Sequence, residues 1–210
     1  MKSYFFNLDK HFVDSVFSPL RTKSEALVVL MKCVKLMLVG NIVPRERAVG
    51  KLLLTVDKQS RLYLFSDSKY FSLGFPFFVN NQEDLLRFST RDIENIDNKI
   101  TSDVIGVLSS TDQYDNNSVF DFIEPVLEIE EKEPRFWAFL LGLLMYEDGY
   151  VRYDHDPKHE NGDLHPINHY DFFYSSSASC KVGLRKKLEH TDMIDFLSTN
   201  TSCHYIEELP

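Results

Sequence analysis

The chain has 210 residues, 43% apolar and 26% charged, a composition that fits a globular fold and excludes wholesale disorder. Its 32 acidic and 23 basic side chains give a net charge of −9, so the molecule as a whole does not attract phosphate backbones, and nucleic acid is expected only as a locally recognised substrate. No apolar stretch reaches the ~20 residues of a bilayer span, the start lacks a signal-peptide shape, and Cys33, Cys180 and Cys203 form no CxxC pair; these features predict a cytoplasmic protein with no membrane contact and no disulfide framework.

In chain order, residues 10–17 fit a short helix. Thr22-Lys23-Ser24-Glu25 has the T-x-x-E form of a capping box, and Gly40 stands where a helix-ending glycine belongs, so 24–39 is expected as a helix. Its apolar run, broken by Lys32 and Lys35, predicts burial around most of the girth and places Cys33 inside. Segments 51–56 and 61–65 read as strands across a four-residue loop. The aromatic stretch 71–79 holds Gly74 and Pro76 and reads as an irregular or edge segment. Residues 83–88 look helical, 95–98 look like a turn, and 104–108 fits strand or helix.

Residues 113–118 are Asp/Asn-rich and read as loop. The apolar segment 119–129 is interrupted by Pro125, and Glu128, Glu130, Glu131 and Glu133 surround Lys132 in what reads as a solvated connection. If the single domain of residues 1–210 divides, it divides here: a helix and strand region over 1–110, a connection over 111–133, and an antiparallel sheet over 134–210. The run 136–146, which holds the only tryptophan, Trp137, reads as the first strand of a hairpin turning at Asp148-Gly149, although a continuous apolar run also fits a helix. Strands follow over 150–154, 165–174 and 180–185, and Thr191 is the expected cap of a closing helix over 192–197. The predicted fold class is α+β: N-terminal helices and short strands, then a C-terminal antiparallel β-meander with a closing helix.

Four of the seven histidines, His155, His159, His165 and His169, fall within fifteen residues. Side chains alternate along a strand, so Arg152 and Asp154 share one face, and His165, His169 and Asp171 share one face of the next strand. Pairing of the two strands would bring an Arg, two carboxylates and two imidazoles together, with Tyr153 and Tyr170 pointing to the other side. The candidate site is therefore Arg152, Asp154, His165, His169 and Asp171. Asp154, His165, His169 and Asp171 have the nitrogen and oxygen donors for a divalent metal. Without metal, a carboxylate could orient a histidine as general base while Arg152 holds an anion. A plainer reading makes Arg152 and Asp154 an ion pair and His169 and Asp171 a hydrogen-bond network within the sheet. His155 and His159 read as exposed loop residues, and Lys181, Arg185, Lys186 and Lys187 as a solvated strand end. His169-Tyr170-Asp171 also has the H-x-D form of an iron facial triad, which would need His190 or His204 as a further ligand. The chain holds no GxGxxG, Walker, HExxH or G-x-S-x-G motif.

Arg152-Tyr153-Asp154 followed by His165-Pro166-x-x-His169-x-Asp171 resembles the R-Y-D-N and P-H-H-x-H segments of TumE-type toxins of toxin–antitoxin pairs. The likeness covers about twenty residues; His155 stands in place of the family's Asn, and Asp171 in place of its third histidine. It implies a prokaryotic conflict or defence protein, a toxin-like hydrolase or nuclease acting on RNA, with an antitoxin or larger effector as protein partner. Two other readings compete with it. One is a non-enzymatic interaction subunit that docks on an effector through an acidic, aromatic surface, with 71–79 as the contact. The other is a sensor of a small anionic ligand or nucleotide.

Overall fold

A computed structural model describes residues 2–18, 20–40, 42–82, 85–111, 119–146, 149–175 and 178–205. The fold is α+β. Strands β1 (Lys2–Leu8), β2 (Gly50–Val56), β3 (Arg61–Phe65), β4 (Lys69–Gly74), β7 (Tyr150–His155), β8 (Asn168–Ser175) and β9 (Ala178–Leu184) form one sheet in the order β1-β2-β3-β4-β7-β8-β9, with every neighbouring pair antiparallel. Between β4 and β7 the chain leaves the sheet. It makes a hairpin of β5 (Phe78–Gln82) and β6 (Leu85–Ser89), then helices α3 (Asn98–Thr111), α4 (Val119–Glu130) and α5 (Phe136–Leu144). Helices α1 (Lys10–Val16) and α2 (Lys23–Val39) connect β1 to β2, and α6 (His190–Phe196) closes the chain.

Sequence chemistry sets these elements. The Thr22 hydroxyl accepts from the Glu25 N–H at 3.2 Å, the Glu25 carboxylate accepts from Thr22 N–H at 2.9 Å, and Gly40 ends α2 at φ +88°, a conformation open to glycine. Cys33 is fully buried there, and burial pushes its thiol pKa up, as in an inert core cysteine. Two corrections concern the middle of the chain. Residues 69–74 form a central strand between β3 and β7, because Gly74 and Pro76 fall at and beyond its end and leave the ladder intact. The segment read as helical at 83–88 carries β6, whose Leu86 and Phe88 are buried while Leu85 and Arg87 are exposed, a period of two.

The apolar run at 136–146 is helix α5. Its buried residues, Phe136, Phe139, Leu140 and Leu143, recur at helical spacing, and among the described residues no strand precedes β7 in a hairpin. Asp148 of the expected turn lies outside the described residues. Helix α4 contains Pro125 near its middle, where the ring removes one backbone N–H from the helix ladder, and residues 104–108 belong to α3. Thr191 is not the final cap: Glu189 takes that position in a reciprocal box with Asp192.

The sheet has two apolar faces. Leu52, Leu54, Leu62, Leu64, Phe71 and Tyr150 pack under α2, α3 and α5 in the larger core. Leu53, Tyr63, Phe65, Tyr70, Tyr153 and Tyr170 pack under α6 in a second one. Within the second core the His190 ring stacks on Phe65 at 4.3 Å and meets the Tyr70 edge at 4.8 Å. Burial, and then the nearby Lys51 charge, push the His190 pKa down. The folded state thus takes up this proton later than the unfolded chain. Its stabilisation is complete above the ordinary histidine value of about 6.5 and is lost as pH falls through the lowered value. His190→Phe keeps the packing and removes the titration. Urea midpoints are therefore expected to fall less between pH 7.5 and pH 5 in this variant than in wild type.

Candidate functional site

The site arises where one row of the sheet changes character. The register places Phe6, Leu52, Leu64, Phe71, Arg152, Asp171 and Lys181 side by side across all seven strands. The first four are apolar and belong to the larger core; the last three are charged. The next row toward the sheet end runs Lys69, Asp154, His169, Gly183. Arg152, Asp154, His169 and Asp171 therefore lie on the face that the helices cover, at the rim of the core.

Arg152 Nη2 donates to Asp154 Oδ2 at 2.8 Å and to Asp171 Oδ2 at 2.5 Å. Its own burial works against the guanidinium charge, but the two carboxylates outweigh it and hold the pKa above the usual Arg value. His169 is fully buried, and Nε2 lies 3.9 Å from Asp154 Oδ2 and 3.8 Å from Asp171 Oδ2. Its Nδ1 is 2.8 Å from the Pro166 carbonyl, which can only accept, so Nδ1 carries the proton. The Lys181 ammonium, which can only donate, lies 3.4 Å from Nε2. Both neighbours select the tautomer with a lone pair on Nε2.

Lys181 also lies 3.3 Å from Asp171 Oδ1 and 3.4 Å from His165 Nδ1. It joins the site from β9, where the sequence suggested a solvated strand end. The signal was present in the register. The β8–β9 hairpin pairs Phe173 with Ser179, and counting outward from that pair puts Lys181 opposite Asp171.

His165 is not on β8. It lies in the loop that joins β7 to β8, bridges to Asn161, and sets its ring edge-on to His169 at 4.6 Å. Pro166 beside it rests on Gly183, where a Cβ would come within 2.9 Å of the proline ring. The loop thereby holds an imidazole over the buried one. His155 lies within β7 and meets Asn168 Oδ1 at 2.8 Å, an oxygen that also accepts from Tyr153. His159 is exposed and pairs with Asp156 at 2.9 Å, a contact that holds the Asp156 pKa below the usual carboxylate range. His190 packs on the opposite face and cannot complete an H-x-D triad; Asp154 occupies the third position beside His169 and Asp171.

Asp154, His169 and Asp171 form a possible metal-binding triad, with one ligand atom of each lying within 4.8 Å of the others. A shared ion at ~2.1 Å from each donor needs ligand atoms within about 4.2 Å, so the two histidine spacings already fit. Arg152 Nη2, however, bridges the same two carboxylates. With Arg152 and Lys181 set against Asp154 and Asp171, the charges balance without a further cation.

Three buried side-chain atoms lack a hydrogen-bond partner among the described residues: Arg152 Nε, Asp154 Oδ1 and His165 Nε2. All three belong to this cluster. The site defines the molecule as an α+β protein with a largely buried Arg–Asp–His–Lys group toward the edge of an antiparallel sheet. The chain matches no protein-family model, no curated protein and no solved structure.

Proposed function

We propose that this chain is a hydrolase of phosphodiester bonds, with His169 as general base and the Arg152, Asp154, His165, Asp171 and Lys181 side chains around it. The observation that carries the reading is the double selection of the His169 tautomer, by the Pro166 carbonyl and the Lys181 ammonium. A lone pair held on Nε2 beside cations is the arrangement a base needs next to a phosphoryl group. Lys181 is the cation that meets solvent and receives the anion. Arg152, engaged by both carboxylates, holds those carboxylates in place instead of clamping substrate. The loop bearing His165 and Pro166 must lift for substrate to reach Nε2, and His165 then lines the entrance.

The unsatisfied atoms support function over a purely structural network. Each buried polar group without a partner costs roughly 1–3 kcal/mol, and networks that exist only to hold a sheet are normally satisfied. The likeness to TumE-type toxins supports a reading in prokaryotic conflict or defence, with RNA as the substrate class and an antitoxin as partner. The negative net charge confines any RNA contact to the local rim around Lys181.

A second reading uses a divalent metal on Asp154, His169 and Asp171, favoured by the spacing of those donors. It requires Arg152 to withdraw. One experiment separates the two: elemental analysis of wild type and His169→Ala, alongside turnover of bis(p-nitrophenyl) phosphate and a single-stranded RNA oligonucleotide with and without EDTA. The expected result is turnover that survives EDTA and is lost in His169→Ala. Near-stoichiometric metal, lost in the variant together with EDTA-sensitive turnover, selects the metal reading. Absence of turnover of both substrates in either condition overturns the hydrolase assignment.

A further inference from the structure

Helix α5, Phe-Trp-Ala-Phe-Leu-Leu-Gly-Leu-Leu, is apolar all the way round. Such a helix is normally enclosed on every side. Its buried residues here are Phe136, Phe139, Leu140 and Leu143. The opposite face carries Trp137, Leu141 and Met145 at spacings of four, and they are 43%, 38% and 75% exposed. Helix α4 adds Ile123 and Leu127, also exposed and four apart. Of the fifteen large apolar side chains exposed among the described residues, six lie between positions 123 and 146, so the exposure is concentrated.

The hairpin of α4 and α5 is held rigid. The Glu130 carboxylate accepts from the N–H groups of Arg135 and Trp137 at 2.8 and 2.6 Å, tying the end of one helix to the start of the next. Arg135 reaches away to Asp92 at 2.7 Å. Glu124, Glu128 and Glu131, spaced four and three apart, are exposed along the α4 side of the stripe.

We infer that the α4–α5 face docks a basic amphipathic helix of a partner protein, its apolar side on Trp137, Leu141 and Met145 and its lysines or arginines against the α4 glutamates. Charge selects this occupant. A second copy in a two-fold contact would set these glutamate rows against each other, and an anionic membrane would be repelled. A tryptophan anchor with a methionine two turns further along suits helix-in-groove recognition. The surface stands apart from the phosphodiester site and does not depend on it. It also differs from the 71–79 contact considered from sequence, where Phe71, Leu73, Phe75 and Phe77 are buried.

Trp137 is the only tryptophan, so intrinsic fluorescence reports this face directly. The probe is a synthetic helical peptide with leucine on one side and lysine on the other, compared with its glutamate counterpart, anionic vesicles, and the protein alone in sedimentation. The expected result is a saturable blue shift with the lysine peptide only, weakened by salt, and at least about tenfold weaker in Leu141→Ser/Met145→Ser at an unchanged thermal midpoint. Equal response to both peptides, no response, or lysine-peptide binding untouched by the double variant would overturn the proposal. So would a vesicle-induced shift, which assigns the face to membrane, or a dimer that the double variant dissociates, which assigns it to a second copy.

Discussion

Arg152→Met is expected to destabilise the protein by roughly 3–5 kcal/mol at pH 7, the range found when one partner of a buried ion pair is removed. The cost comes from what remains. Asp154 and Asp171 are left on adjacent strands, and Arg152 is the group that bridges them. Lys181 still compensates Asp171 at 3.3 Å, so Asp154, whose Oδ1 has no hydrogen-bond partner, becomes the stranded charge. Two consequences separate this from a simple loss of packing. First, the deficit shrinks as pH is lowered toward 5, because a carboxylate deprived of its cation takes up a proton more readily in the folded variant than in the unfolded chain. Second, adding Asp154→Asn recovers ~1 kcal/mol or more at pH 7 by removing the unpaired charge. Urea titrations of the three proteins at both pH values measure each effect. A deficit that does not change with pH and is not relieved by Asp154→Asn would make Arg152 a packing residue.

Removing Arg152 also bears on the metal. With the guanidinium gone, two carboxylates and the His169 lone pair are left with Lys181 as the cation beside them. Added Mn²⁺ is expected to raise the thermal midpoint of Arg152→Met more than that of wild type, as ligand binding to the native state does. An equal rise in both proteins would show that Arg152 does not compete for those carboxylates.

What could be read in the sequence follows a physical divide. The pairing of Arg152 and Asp154 with His169 and Asp171 was accessible because strand parity is strict: Tyr153 and Tyr170 had to point to one side and the charged residues to the other. The capped helix α2 was accessible because Thr22, Glu25 and Gly40 act through bonds within a few residues. Elements decided by tertiary context were not accessible. The run at 136–146 is apolar at every position, so its periodicity carries no preference, and only packing against the sheet makes it helix α5. Gly74 and Pro76 make 71–79 read as irregular, yet they lie at and beyond the end of β4, where they interrupt nothing. His165 reads as part of a strand, whereas the β7–β8 loop carries it over His169. Lys181 reads as part of a solvated cluster with Arg185, Lys186 and Lys187, while its partner Asp171 is set by the register of a hairpin.

His169→Asn tests the centre of the proposed chemistry more cleanly than alanine does. The asparagine amide nitrogen takes the place of Nδ1 and can keep donating to the Pro166 carbonyl, so the loop stays seated. Nothing in asparagine reaches the place of Nε2. Turnover of the phosphodiester probe is expected to fall roughly 10²–10⁴-fold, the contribution of a positioned general base. His169→Gln reverses the substitution logic: its amide approaches the Nε2 position and leaves the Pro166 oxygen without its donor, at roughly 1–3 kcal/mol. Both variants should be inactive, because an amide is no base near neutral pH, yet only His169→Gln should lose that stability. If turnover in the two variants merely tracks the folded fraction, His169 holds the loop and performs no proton transfer. A large loss in the stable asparagine variant instead assigns the reaction to Nε2 of the His169 imidazole.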